Sequence, residues 1–310
     1  MSIEIEYFRP DRLSALVRLL DDSFQIANPD KAELVRWKFF APIHRGGTVM
    51  AVALDDNRVV SQYANTPLVL SDGGRPLSAM VCADMATAPQ YRGRGLISQL
   101  ARDVYARVVH SGAVLSIGYS NDAGVKVDMN ARGYGYRVVG RFARYVSPVL
   151  RARTTPIRLE PAAEFNDGHL PVPSASSLSI CKSADYLTWR YLRKPNADYR
   201  IFRIAHGPHS LGYAILRDSG QRAHLVDLIA EPTPDLIRAV QNTVRASGKR
   251  VLVVYVLDNP FWHQTLRGFV RIPRQARLEN YYLTVKPHTS SMPAGWDTPD
   301  RWRLMGGDII

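Results

Sequence analysis

The stretch Asp84-Met85-Ala86-Thr87-Ala88-Pro89-Gln90-Tyr91-Arg92-Gly93-Arg94-Gly95-Leu96 decides the reading of this chain. An apolar run from about Leu77 leads into it and an amphipathic run to about Val109 leads out, which predicts a strand, a glycine-rich turn and a helix. The first turn of a helix has backbone N–H groups with no internal partner. The helix dipole adds partial positive charge at the same place. Together they form an anion site suited to a pyrophosphate. Gly93 and Gly95 let the backbone approach the phosphates where a Cβ would intrude, and Arg92 and Arg94 add fixed charge and donors. Ser98, one turn into the helix, is placed to touch a phosphate. A tight turn that used glycine for geometry alone would not call for the two arginines. No Gly-Lys-Ser/Thr follows, which excludes a Walker loop. The third glycine and the acidic residue of a dinucleotide fingerprint are also missing.

Upstream, Ile3, Ile5 and Tyr7 alternate as in a short strand. Helices are expected from Pro10 to Phe24 and from Pro29 to Phe40, the second holding Trp37. Strands are expected over Thr48 to Leu54 and Val59 to Leu70. Downstream, Val114 to Ser120 reads as a buried strand, and Ala123 to Arg132 as a helix closed by Gly133. Two strand-like stretches fill Tyr136 to Val149. Prolines and small polar residues from Arg151 to Ser177 read as a linker.

The second half repeats the first. Trp37 in VRWKFF is matched by Trp189 in LTWRYL, and Asp84, five residues before Pro89, by Asp227, five before Pro232. Asn121 is matched by Asn259, and Gly133-Tyr134 by Gly268-Phe269. The order implies two copies of one α/β unit, about 140 to 150 residues apart. The second copy has Glu231-Pro232-Thr233-Pro234 in place of the glycine loop and should not hold a pyrophosphate in the same way.

Gln90-Tyr91-Arg92-Gly93-Arg94-Gly95 resembles the Gln/Arg-x-x-Gly-x-Gly/Ala signature of the GNAT acyltransferase superfamily, with Asn121 and Gly133-Tyr134 where that family places them. The resemblance is strong over about residues 3 to 147 and rests on the repeat over about 178 to 285. Tandem members with one active and one degenerate unit are known in the superfamily. The resemblance implies an α/β fold of two tandem GNAT-like domains, each a mixed, mostly antiparallel sheet flanked by helices. It divides the chain into an acyl-CoA-binding domain over 1–150, a linker over 151–177, a degenerate domain over 178–285 and a tail over 286–310.

It further implies acetyl-CoA, or another acyl-CoA, as cosubstrate. The cofactor would meet the loop residues Gln90, Arg92, Gly93, Arg94, Gly95 and Leu96, with Ser98 behind them. Backbone groups of Met85, Ala86 and Thr87 would pair with pantetheine as an added strand. The sheet would splay beside Tyr119 to Asn121, and an amine would attack the thioester directly there. The N–H of Met85 or Ala86 is the family's usual oxyanion donor. Asp84 is the first candidate for general base, since burial on an apolar strand would raise its pKa. Asp227 holds the same place where no phosphate loop exists, so a structural role suits both. The family's usual acid, a tyrosine five residues before the aromatic of the Gly-aromatic pair, is here Met129. Tyr119 is the substitute, with Tyr134 and Tyr136 as further candidates. Asn121 could bond pantetheine or substrate, or simply cap the next helix.

Composition sets the outer bounds. The chain has 310 residues, 46% apolar and 22% charged, enough for two ordinary domains. The net charge of +12 suits anionic partners: a nucleotide cofactor, an acidic carrier protein or an anionic substrate. The expected acceptor is a small-molecule amine, on a monomer or homodimer without metal. An acyl carrier protein or aminoacyl-tRNA as donor, or a non-catalytic acetyl-CoA sensor, are the alternatives; other nucleic acid is not expected. Two distant cysteines, Cys82 and Cys181, suit a reducing compartment, and the start Met-Ser-Ile-Glu-Ile-Glu lacks the pattern of a signal peptide, so a cytoplasmic location is expected.

Overall fold

A computed structural model describes residues 3–26, 29–44, 47–128, 135–171, 177–276 and 279–309. The first half runs β1 (Glu4–Tyr7), α1 (Leu13–Phe24), α2 (Lys31–Phe39), β2 (Val49–Asp55), β3 (Arg58–Asp72), β4 (Arg75–Cys82), β5 (Ala86–Thr87), α3 (Leu96–His110), β6 (Leu115–Asn121), α4 (Asp122–Asp128) and β7 (Arg137–Pro148). The rest runs β8 (Ile157–Pro161), β9 (Leu178–Ile180), α5 (Ala184–Leu187), β10 (Arg200–His206), β11 (His209–Ser219), β12 (Arg222–Ile229), α6 (Pro234–Ala246), β13 (Val251–Leu257), α7 (Pro260–Thr265), β14 (Val270–Arg271) and β15 (Tyr281–Pro287). The fold is mixed α/β, with sheets mostly antiparallel and flanked by helices.

Among the described residues one strand path crosses the whole molecule in the order β1-β2-β3-β4-β6-β15-β7-β13-β12-β11-β10-β8. Only β4 with β6 and β12 with β13 are parallel in this path. Each parallel pair is joined by a crossover through a helix, α3 in one half and α6 in the other, because a parallel return must leave the sheet. The two halves trade strands at their junction. β15, late in the chain, lies between β6 and β7. β7, from the first half, lies against β13.

The helical faces follow from apolar spacing. In α3, Leu96, Leu100, Ala101, Val104, Tyr105 and Val108 are buried and pack with α1 onto one face of the first sheet. Each large apolar side chain so covered contributes roughly 1.5–3 kcal/mol. A third cluster under α6 does the same for the second sheet. Between them a central cluster joins the other faces, with Trp37 and Trp189 stacked at its heart.

Three expectations change. The stretch 151–177, read as a linker, contains β8, which pairs with β10 at the sheet edge. The two strand-like stretches after Tyr136 are one strand, β7. The strand expected from Leu77 to Thr87 is broken at Asp84, as described below. The tail docks on the body: Trp302 and Leu304 are fully buried, and Leu257 N–H donates to the Leu304 carbonyl at 3.0 Å. Among the described residues no helix is long and apolar enough to cross a membrane, and no group of three or more His, Cys, Asp or Glu is arranged to hold a metal.

Candidate active site

Strand β4 pairs with β6 only as far as Cys82 opposite Gly118. Beyond that point the strands part. The cause lies on the other side of β4. From Asn65 opposite Cys82 to Gln62 opposite Ala86, β3 advances three residues while its partner advances four. The extra residue makes a bulge, and Asp84 sits in it with φ +49°, a left-handed backbone that Asp tolerates better than most side chains. Buried Gln62 holds the bulge by donating Nε2 to the Asp84 carbonyl. Ser61 Oγ donates to the Ala86 carbonyl at 3.0 Å and meets Thr87 Oγ1 at 2.8 Å. The bulge turns β5 back onto β3, so its far edge faces the gap.

A cavity of about 610 Å³ fills this gap. It brings together Asp84, Met85, Ala86, Thr87, Arg92, Tyr119 and Asn121 from the sequence reading. Gln90, Gly93, Arg94, Gly95, Leu96 and Ser98 lie on the loop and helix start that continue from Thr87. That loop is held from below. Tyr91 is buried and donates its hydroxyl to Asp55, while Arg94 lies 4.9 Å over the Tyr91 ring and bonds the Gln90 carbonyl at 3.1 Å. Arg92 Nε donates to the Thr87 carbonyl at 3.2 Å. Both guanidinium groups remain exposed.

Gly93 and Gly95 have φ of +77° and +73°, so glycine is required by conformation. A Cβ on either would meet nothing within 4 Å: the space before the loop is open. Gly95 caps α3 without a side chain, and the first internal bond of the helix is Gln99 N–H to the Gly95 carbonyl. Among the described residues no backbone carbonyl accepts from the N–H groups of Gly93 to Ser98. The matching helix α6 is closed differently: Thr233 Oγ1 accepts from Leu236 N–H at 3.2 Å, and Pro234 lacks a donor. One helix start has no side-chain cap among the described residues, and the other is capped by its own chain.

Asp84 is not a lone carboxylate. Lys38 Nζ lies 2.6 Å from its Oδ2. Its counterpart Asp227 is fully buried, accepting from Lys182 at 2.7 Å, Tyr191 at 2.7 Å and the Leu228 N–H at 2.9 Å. Both aspartates therefore anchor a lysine, although the lysines come from different places in the repeat. Tyr119 packs edge-on to Phe142 with its hydroxyl buried and without a hydrogen-bond partner among the described residues. Burial pushes that hydroxyl well above the ordinary tyrosine range, and the Asp308 carboxylate adds to the shift. Asn121 Oδ1 accepts from Gly124 N–H at 2.9 Å and so caps α4, as Asn259 caps α7 at 3.1 Å. Met129, Gly133 and Tyr134 lie outside the described residues.

Tyr136 lines the cavity and accepts from Tyr105 at 2.8 Å, and Tyr105 meets Tyr63 at 2.5 Å. Burial raises both Tyr63 and Tyr105, so the chain of hydroxyls stays protonated. Lys38, Gln62, Tyr281, Glu279 and Ile309 were missed by sequence reasoning. Gln62 carried a signal, as a polar residue inside an apolar strand, and Lys38 stands next to the repeated Trp37. The last three come from parts of the chain that only the exchanged strand β15 and the docked tail bring here.

Residues 4–139 match the model of an acetyltransferase (GNAT) domain. No protein of curated function matches the sequence significantly. Among solved structures, the chain is similar to a GCN5-related N-acetyltransferase from Anabaena variabilis (TM-score 0.71, 13% identity, 93% of this chain and 73% of that one). It is also similar to a probable N-acyltransferase of unknown function from Enterococcus faecalis (TM-score 0.68, 15% identity, 93% and 73%). A tandem GNAT protein from the clavulanic acid biosynthesis pathway aligns over 94% of this chain and all of its own (TM-score 0.59, 12% identity). At these identities the likeness is one of fold. The domain match and the helix start beside a splayed strand pair agree: residues 4–139 match a GNAT acetyltransferase domain, and the chain as a whole shares the fold of a tandem GNAT protein.

Proposed function

We propose that the chain is an acyl-CoA-dependent N-acetyltransferase acting on an amine of a small molecule such as an amino sugar, antibiotic or metabolite. The observation that carries this reading is the contrast between the two helix starts, α3 uncapped behind Gly93 and Gly95 and α6 closed by Thr233. In the proposal the diphosphate meets the N–H groups from Gly93 to Ser98, with Arg92 and Arg94 at its sides. Pantetheine lies along the free edge of Met85 to Thr87 as an added strand, which sets the thioester in the gap near Tyr119 and Asn121.

The amine attacks the thioester carbonyl directly, its N–C bond forming as the C–S bond breaks. The N–H of Met85 or Ala86 steadies the oxyanion. Tyr119 is the proposed donor to the departing thiolate, which suits a buried hydroxyl that keeps its proton and has no hydrogen-bond partner among the described residues. Asp84 is the proposed base, which requires Lys38 to release its carboxylate when the acceptor enters. The second unit, whose helix start is closed, supplies walls to the acceptor side rather than a second cofactor site.

Acetyl-CoA should stabilise the chain in a thermal-shift experiment, and Gly93→Asp should abolish the shift while leaving the unliganded melting point within a few degrees. No stabilisation of the wild type rejects the reading. Thiol release with an amine library then separates an enzyme from a non-catalytic binder. A carrier-protein donor would instead show release only from an acylated carrier protein.

A further inference from the structure

The second unit keeps a cleft of its own. β12 pairs with β13 only from Arg222 to Leu225, and beyond that point the two strands part, as β4 and β6 do. The tail has taken part of the opening: Met305 bridges to Val256, and Leu257 N–H donates to the Leu304 carbonyl. What is left is a cavity of about 390 Å³. Asp227, Leu228, Ile229 and Ala230 line it where Asp84, Met85, Ala86 and Thr87 line the first gap. Two and three residues past the capping asparagines, Ala123 and Gly124 of the first gap give way to Phe261 and Trp262. With two large rings and no glycine loop, this cleft suits a ligand of amino-acid size rather than a nucleotide.

Four charged side chains line the cavity: Lys182, Asp227, Glu231 and Arg303. The first two are committed, since Lys182 Nζ lies 2.7 Å from Asp227 and 2.8 Å from Asp308. The other two are not. Glu231 is exposed and forms no ion pair among the described residues. Arg303 is half-buried and lies 3.9 Å over the Phe261 ring. Only its Nη1 is hydrogen-bonded among those residues, to the carbonyls of Asp300 at 2.8 Å and Trp302 at 3.3 Å. Burial opposes its charge, as does Arg301, while Glu231 and Asp300 favour it without closing an ion pair. Trp262, edge-on to Phe261 at 5.1 Å, is 4% exposed, and its Nε1 has no hydrogen-bond partner among the described residues. A buried donor left unpaired is costly, and an acceptor brought by a ligand relieves that cost.

We infer that this cavity is a second binding site, for a free α-amino acid with an apolar side chain. The carboxylate lies between Arg303 and the Trp262 indole N–H, and the ammonium lies on Glu231. The side chain packs against Leu170, Pro171, Leu228 and Met305, which complete the walls. A zwitterion answers both uncommitted charges at once, whereas a simple anion would meet Glu231 and a simple cation would meet Arg303. The site lies apart from the gap at Asp84 and fills independently of acetyl-CoA.

The test is calorimetry on the full chain near neutral pH, without acetyl-CoA. L-leucine and L-phenylalanine are each compared with their deaminated and decarboxylated counterparts: 4-methylvalerate and isoamylamine, 3-phenylpropionate and phenethylamine. At least one of the two amino acids should bind, about tenfold or more tighter than either of its counterparts. Glu231→Gln, an exposed change that leaves the fold alone, should weaken that binding by about tenfold. Failure of both amino acids to bind overturns the inference, and so does equal binding of a counterpart that lacks one charge. Binding that is unchanged in Glu231→Gln but lost in Asp84→Asn places the amino acid in the first gap and overturns it as well.

Discussion

Trp37 and Trp189 each donate their indole N–H to the other's backbone carbonyl, at 2.8 and 2.9 Å, while their rings stack with centroids 4.9 Å apart. The exchange is reciprocal, as a two-fold relation between the repeats requires. It explains why this residue recurs: each copy needs the indole to close the other's backbone. Trp37→Ala should cost about 3–5 kcal/mol, since it removes a buried aromatic and orphans the Trp189 carbonyl. Thermal or urea denaturation measures it. A double variant with Trp189→Ala should lose less than the sum of the singles.

At Gly95 conformation and space make opposite demands. The φ of +73° disfavours any Cβ by roughly 1–2 kcal/mol, yet a Cβ there would touch no protein atom. Gly95→Ala is therefore expected to lower stability only modestly while weakening coenzyme A binding at least tenfold by calorimetry. A variant that binds normally would show that the open space before the loop is not used by the ligand.

This distinction marks how far the sequence could be read. The loop was legible because glycines, arginines and flanking periodicity all act locally. The repeat was legible because its landmarks keep their order. The break at Asp84 was hidden, since a one-residue bulge depends on how Gln62 and Asn65 meet the opposite strand, and alternation alone cannot count residues across a ladder. The Lys38 partner of Asp84 was hidden because it sits on helix α2, 46 residues away in sequence, and only the packing of that helix brings it to the bulge. The strand exchange was invisible, because β15 has the same pattern whichever sheet it joins.

Gly307 is a different kind of requirement. A Cβ would stand 2.9 Å from the Val226 carbonyl oxygen and closer still to the Tyr191 hydroxyl. Neither can yield easily, for Tyr191 is bonded to Asp227 and Val226 belongs to β12. Gly307→Ala should loosen the tail, freeing Lys182 from Asp308, now 2.8 Å away. Limited proteolysis should then cut near residue 300 at rates where the wild type stays intact.

His288 sets an acid limit. Burial, helped by Lys286, lowers its pKa from 6.5 to about 4, and Ser116 meets its Nε2 at 2.8 Å. The unfolded chain binds a proton here between those values and the folded chain does not, so stability must fall as pH drops from about 6.5 towards 4. His288→Asn should lessen the fall in melting temperature over that window, the remainder coming from His44 and His224, which burial also lowers, and leave it little changed above pH 7.

The traded strands have a consequence for biogenesis. β15 is made after every other strand named here, yet it lies between β6 and β7 of the first half. On the ribosome the first half must wait, with those two strands unjoined, until residue 287 has left the exit tunnel. A translation arrest shortly before that point should yield nascent chains that chaperones hold and proteases remove, however complete the glycine loop already is.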